Sequence, residues 1–349
     1  MTSVLQRPRA VMQQLWAYLL QASGCFWWAK RQLRRRGAAV VLTFHRVLND
    51  ADMLRTCSLP CIVVREQTFA KLAAHVTREY RAADLRQARG GAAGGKLALS
   101  FTFDDGWKDT YLNAMPVASR YQIPLTVFIC SGLIGRDSPF WPEQIAAAMR
   151  SASPRIADEE IERVIETLKM QNSAKRGKLI TELSATHPHI ERNNSDRTLS
   201  WIDVLEMDAA GIKFGCHTHT HQILTAVPLD TARLEIREGR RAIEAVLHKS
   251  CEHFAYPNGN SSHQIQQVLT EEGFTAAFTT EIGGWTHDTD MLAIPRVNIC
   301  EANVTGPAGG FSRTMFQYTV FWKTWRAMRS ERRVLLQRPE PVLTEASSL

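Results

Sequence analysis

The sequence predicts an α/β fold in which a parallel sheet is covered by helices, and three observations carry that expectation. After Arg36, short apolar runs alternate with amphipathic stretches, the pattern of buried parallel strands joined by crossover helices. Of the 349 residues, 44% are hydrophobic and 22% charged, which provides for a sizeable core and excludes a disordered, collagenous or polytopic membrane chain. Roughly 270 residues lie between two basic ends, a length that suits a barrel with one insertion. Periodicity alone leaves an open doubly wound sheet as the alternative.

Strands are expected at residues 38–44, 97–103, 125–130, 213–216, 253–256 and 275–279. Helices are expected at 109–121, 201–210, 229–248 and 262–272, where apolar residues recur every three or four positions. Residues 136–197 break the rhythm with a helix-rich, charge-dense segment, 158–178 in particular, that contains no candidate strand. Such an insertion either covers a substrate or is a solvated decoration. The run Gly90-Gly91-Ala92-Ala93-Gly94-Gly95-Lys96 has most of a phosphate loop, but Leu97 stands where a Ser or Thr would hold magnesium. It also precedes a strand instead of following one, so it reads as a connector.

The net charge of +7 is the sum of unlike parts. Residues 1–36 carry seven basic side chains and no acid, and residues 313–338 carry seven against the single acid Glu331; the rest of the chain is net −6. A nucleic-acid binder would spread basic residues over the body, so the acidic body argues against one. Both ends interleave cations with apolar and aromatic side chains: Met12, Leu15, Trp16, Leu19, Trp27 and Trp28 at one, Phe316, Phe321, Trp322 and Trp325 at the other. That pattern fits helices lying on an anionic membrane, and it fits terminal helices packed on the domain with a solvated basic face. Gln13, Gln14, Gln21 and Ser23 make the first segment a poor membrane span, and the cations from Lys30 to Arg36 are unlike the flank of a signal peptide. Seven cysteines at irregular spacing form no disulfide framework, so a cytoplasmic location, peripheral at the membrane, is expected, with the periplasmic face as the alternative.

Two segments carry chemistry. In Leu99-Ser100-Phe101-Thr102-Phe103-Asp104-Asp105-Gly106 an apolar strand ends in two adjacent carboxylates, which puts both acids at the carboxyl edge of the sheet. Neighbouring carboxylates repel, an arrangement easily sustained when one binds a metal and the other accepts a proton. An Asp-Asp-Gly turn with a helix cap at Asp109 is the plainer reading. In Ile212-Lys213-Phe214-Gly215-Cys216-His217-Thr218-His219-Thr220-His221, a second strand ends in His217 and His221, four apart. One helical turn would point both imidazoles the same way, with His219 directed elsewhere, and two imidazoles with a carboxylate leave an open, catalytic type of metal site.

Together these segments resemble the polysaccharide deacetylase family (the NodB-homology domain, carbohydrate esterase family 4). Thr102-Phe103-Asp104-Asp105-Gly106 is similar to its first motif, and His217 to His221 to its H-[ST]-x-x-H motif. Trp201-Ile202-Asp203 resembles the lead-in to the second, and Phe254-Ala255-Tyr256-Pro257-Asn258-Gly259 the third. The likeness runs from about residue 40 to 297, without the insertion. It implies a distorted (β/α) barrel occupying residues 37–312, with a helical insertion at about 136–197, flanked by a basic aromatic arm at 1–36 and a basic amphipathic segment at 313–349. It also implies that Asp105, His217 and His221 hold one divalent metal, zinc ahead of cobalt, nickel or manganese, and that Asp104 is the general base. The backbone N–H of Asn258 would stabilise the oxyanion.

The chain departs from the usual family order in two places. The family's acid is a His closing a late strand, whereas here the matching pattern, Val40-Val41-Leu42-Thr43-Phe44-His45, comes first. This resembles the circularly permuted poly-N-acetylglucosamine deacetylase branch and assigns His45 as general acid, since first and last strands of a closed barrel are neighbours. A core or capping histidine is the alternative. Ala255 stands where many members have an Arg that orients the base, and Arg296 of Ile294-Pro295-Arg296 resembles its replacement beside Asp104; a surface role is the alternative. The expected activity is removal of N-acetyl groups from an amino-sugar polysaccharide or lipid-linked saccharide, against a catalytically silent carbohydrate-binding or scaffold protein. Retention of Asp104 together with Asp105, His217 and His221 disfavours the silent alternative.

Overall fold

The computed structural model describes residues 6–336 except 90, 92–94, 137–139, 170–176, 179–180 and 183–195. Parts of the expected insertion, of the glycine-rich connector and of both basic ends therefore lie outside the described residues. Among the described residues ten strands form, in chain order: β1 (Val40–Phe44), β2 (Arg46–Leu48), β3 (Val63–Arg65), β4 (Arg81–Ala82), β5 (Ala98–Phe103), β6 (Leu125–Ile129), β7 (Lys213–Cys216), β8 (His253–Ala255), β9 (Ala276–Phe278) and β10 (Val297–Asn298). Eight of them make one sheet, ordered β10-β1-β5-β6-β7-β8-β9 with β4 on β5, and every ladder in it is parallel. β2 and β3 form a separate parallel pair.

The sheet curls because its two edges are joined by one segment. Ile294 N–H donates to Ala277 and Thr279 N–H to Ile294 on the β9 side, and three residues later Val297 pairs with Leu42 of β1. This is the distorted (β/α) barrel expected. β1, β5 and β6 are buried along their whole length. Alternation along them separates two cores. Val40, Leu42, Phe44, Leu99, Phe101 and Phe103 face the helices. Ala39, Val41, Ala98, Phe128, Ala255 and Phe278 fill the inside, where small residues allow the curl.

The helices follow their signals. Trp201–Ala209 opens on a capping box, Ser200 accepting from the Asp203 N–H while the Asp203 carboxylate accepts from Ser200. The expected helix at 109–121 begins as a π-helical turn (Thr110–Ala114) and continues as Met115–Arg120. Pro116 has no N–H for the i−4 carbonyl, which accounts for the widened turn ahead of it. At the ends, Gln6–Ala22 and Cys25–Arg35 pack on the helical run from Arg313 onward: Phe26, Ala17 and Leu20 surround Met315, Trp28 meets Trp325 edge-on at 4.6 Å, and Lys30 Nζ donates to Gln317 at 2.9 Å. No helix among the described residues is long and apolar enough to cross a membrane.

Candidate active site

Register brings four strand ends to one rim. Phe44 pairs with Phe103, so His45 and Asp104 leave neighbouring strands side by side, with the Asp104 N–H donating to the Phe44 carbonyl at 3.0 Å. Cys216 pairs with Ile129, and the His217 N–H extends that ladder to the Ile129 carbonyl at 3.0 Å. A period of two from the inner-facing Val41 and Ala98 puts His45 and Asp104 on the inner side as well. Asp105 would then face outward. Its left-handed backbone (φ 76°), followed by Gly106 at φ 83°, turns its carboxylate back to the rim.

The two acids have different partners. Asp104 is ion-paired at both oxygens with Arg296, at 2.8 and 2.7 Å, and the guanidinium is itself fixed by donating to Thr279 O (2.8 Å) and Thr102 Oγ1 (3.3 Å). Both side chains are buried. Burial alone would raise the Asp104 pKa, but Arg296, with His217 and His45 behind it, more than offsets this and holds the carboxyl below its ordinary range. Asp105 Oδ2 accepts from the Trp107 indole at 3.1 Å, while its buried Oδ1 has no hydrogen-bond partner among the described residues and faces His217 Nε2 at 3.4 Å and His221 Nε2 at 3.3 Å.

These three donor atoms suit a metal. Ligand distances of about 2.05 Å in a tetrahedral site put neighbouring donors about 3.3 Å apart, which the two Asp105 distances match. His217 Nδ1 lies 2.8 Å from the Ala255 carbonyl, so it carries the hydrogen and leaves the Nε2 lone pair directed at Asp105. His217 and His221 do not share a helical turn, as their spacing suggested. They flank a loop in which Thr218 (φ 65°) and His221 (φ 61°) are left-handed, and that loop folds His221 back over the end of β7. His219 points away and bonds Ser131 at 2.9 Å.

A cavity of about 1250 Å³, mouth included, opens over this rim, and all seven site residues expected from the sequence line it. His45 has its Nδ1 buried without a partner among the described residues; burial lowers its pKa while Asp105 and Asp104 pull it upward. In the turn after β8, the Tyr256 N–H is engaged with Phe278 and the Gly259 N–H with Tyr256, and Pro257 has none, which leaves the N–H of Asn258 (φ 60°) as the turn's candidate donor. The insertion's helices Trp141–Ala152 and Asp158–Lys169 wall the cavity with Glu143, Glu162, Ile165 and Glu166, so its described part is not a solvated decoration. Burial, then the nearby Asp105 charge, pushes the Glu143 carboxyl up to about 7.

Residues 92–277, more than half of the chain, match the family model described as polysaccharide deacetylase. The chain belongs to the polysaccharide deacetylase family. The Bacillus subtilis polysaccharide deacetylase YxkH is 20% identical over 214 residues, 61% of this chain, which spans 56% of that relative's length. The Streptococcus pyogenes deacetylase PplD shares the fold with a TM-score of 0.54 at 17% identity, over 81% of this chain and 98% of its own. IcaB from Ammonifex degensii does so with a TM-score of 0.51 at 19% identity, over 75% and 91%. The polysaccharide deacetylase match contains Asp104, Asp105, His217, His221 and Asn258 but stops short of Arg296 and begins after His45.

Several residues that brace this site were missed in the sequence. Glu235, on the helix Leu229–Leu247, accepts from the N–H groups of His219 (3.0 Å) and Thr220 (2.7 Å) and from the Thr220 hydroxyl (2.6 Å). On the same helix, a Cβ at Gly239 would lie 2.6 Å from Cys216 Sγ and 2.9 Å from the Thr218 backbone, so only glycine lets the helix come this close. Arg46 stacks 4.3 Å over Trp107, the indole that holds Asp105, and pairs with Asp109 at 2.9 Å. The glycine and the acid four residues before it were the available signals; their target, the His217 loop, was not readable.

Proposed function

We propose that the protein is a metal-dependent hydrolase that removes N-acetyl groups from an amino-sugar polysaccharide or a lipid-linked saccharide. The observation that carries this reading is an ion-paired carboxylate, Asp104, next to an unpaired carboxylate oxygen of Asp105 that faces two imidazole nitrogens. A divalent cation held by Asp105, His217 and His221 supplies, when bound, a Lewis acid for the acyl carbonyl and for the attacking water. Two imidazoles and one carboxylate suit zinc first, with cobalt, nickel or manganese as substitutes.

The chain's own residues do the rest. Asp104, kept ionised by Arg296, takes a proton from the attacking water. The Asn258 N–H donates to the oxygen that becomes negative in the tetrahedral intermediate. His45 gives a proton to the departing amine, and because burial favours its neutral form, its charged form donates readily. Acetate and the free amino sugar leave.

Metal analysis combined with acetate release from N-acetylglucosamine oligomers tests this. Asp105→Ala should lose the metal and the activity; Asp104→Asn should keep the metal and lose at least about a hundredfold in turnover. Full acetate release by both variants, or none by the wild-type metal-loaded protein, would sink the proposal.

A further inference from the structure

The first helix, Gln6–Ala22, has two apolar faces, and the protein covers only one. Ala17 and Leu20 are buried against Phe26 and Met315. Met12, Leu15, Trp16 and Leu19, spaced three, four and seven positions apart, are 68%, 61%, 51% and 62% exposed. No charged residue occurs between Arg9 and Lys30, so the stretch that carries this face holds no charge of its own. After the turn at Gly24, the second helix, Cys25–Arg35, repeats the design: Phe26, Ala29 and Leu33 are buried, while Trp27 and Trp28 are exposed with the Arg31 guanidinium 5.3 Å over the Trp27 ring.

We propose that the outward faces of these two helices dock the protein, parallel to the surface, on a bilayer containing anionic lipid. The charge around the faces selects that occupant. Residues 1–36 hold seven cations and no acid, and the helix Lys323–Leu336, packed alongside through Trp325, adds the exposed Arg326 and Arg329. A second copy of the chain on this face would bring two basic patches together, whereas an anionic surface neutralises them. Indole rings beside guanidinium groups suit the headgroup level, and a helix with one side held by protein lies in that plane instead of crossing it. The body, net −6, would be repelled by the same surface, which orients the molecule with its ends down.

This inference does not depend on the catalytic reading. Its test is flotation of the full chain with vesicles of phosphatidylcholine, with and without phosphatidylglycerol, at low and high salt. Wild type should float with the anionic vesicles and detach in high salt. The double variant Leu15→Glu/Leu19→Glu should lose at least about tenfold in vesicle partition, and Arg31→Glu/Arg35→Glu a comparable amount, with melting temperature and acetate release from soluble oligomers unchanged. Absence of wild-type binding, or binding unaffected by both variants, would overturn the proposal. So would a wild-type dimer in light scattering that Leu15→Glu/Leu19→Glu dissociates, since that assigns the face to a second copy.

Discussion

Asp104 and Asp105 share a rim because an arginine from the far end of the domain neutralises the first and the second is turned by a left-handed backbone. Removing Arg296 would leave a buried, unpaired carboxylate, a situation that costs about 3–5 kcal/mol. Arg296→Met is therefore expected to lower stability by that order in urea titrations and to cut turnover, while metal content stays near one equivalent, because none of the three donor atoms touches Arg296. Arg296→Lys keeps the charge but cannot reproduce the two-pronged bond, so it should recover much of the stability and little of the turnover. Loss of metal in Arg296→Lys, or wild-type turnover in Arg296→Met, would show that the arginine acts elsewhere.

Packing between elements decides how firmly the histidines are held. Glu235 braces the His217 loop from a neighbouring helix, and Glu235→Ala should weaken metal affinity about 10–100-fold, measured by chelator competition, with the barrel still folded. A second inter-element contact governs acid sensitivity. His75, on the helix Glu66–Glu79, is enclosed by Tyr80, Phe311 and Phe316 with neither ring nitrogen bonded, and burial, then Arg313, lowers its pKa to about 4, against partial opposition from Glu79. The unfolded chain binds this proton more readily, so the contribution is full above about pH 6.5 and is lost as pH falls toward 4, on the order of 2 kcal/mol. His75→Leu should flatten the loss of stability between pH 7 and pH 4.5; an unchanged slope would place the acid sensitivity in other groups. That helix was overlooked in the sequence although Phe69, Leu72, Ala73 and Val76 have helical spacing. Of the six strands legible in the sequence, β1, β5 and β6 were clearest because strands buried along their whole length read as apolar runs; β2, β3, β4 and β10, two or three residues each, are too short to show a period, and β8 and β9, as short, were expected one and two residues longer than they are. The left-handed Thr218 had no signal, since a β-branched residue disfavours φ above zero, and His221, of a type enriched there, still adopts it too seldom for the sequence to show it.

At the scale of the whole molecule, the site ties together parts of the chain that no local element connects. His45, Asp104, His217 and Asn258 follow four different strands, and the curl that brings them to one rim depends on residues 291–298 joining β9 to β1. Asp105 follows β5, and both histidines follow β7, with β6 between them in the sheet. A cation at that point therefore crosslinks non-adjacent strands and binds the folded state only. By mass action, metal at about a thousand times its dissociation constant stabilises by about 4 kcal/mol. For a domain of this size, at about 2 °C per kcal/mol, melting should rise by roughly 8 °C on loading. Chelation should reverse the shift, and Asp105→Ala should melt at one temperature with or without metal. A wild-type melting temperature indifferent to chelator would mean that the three donors hold no cation.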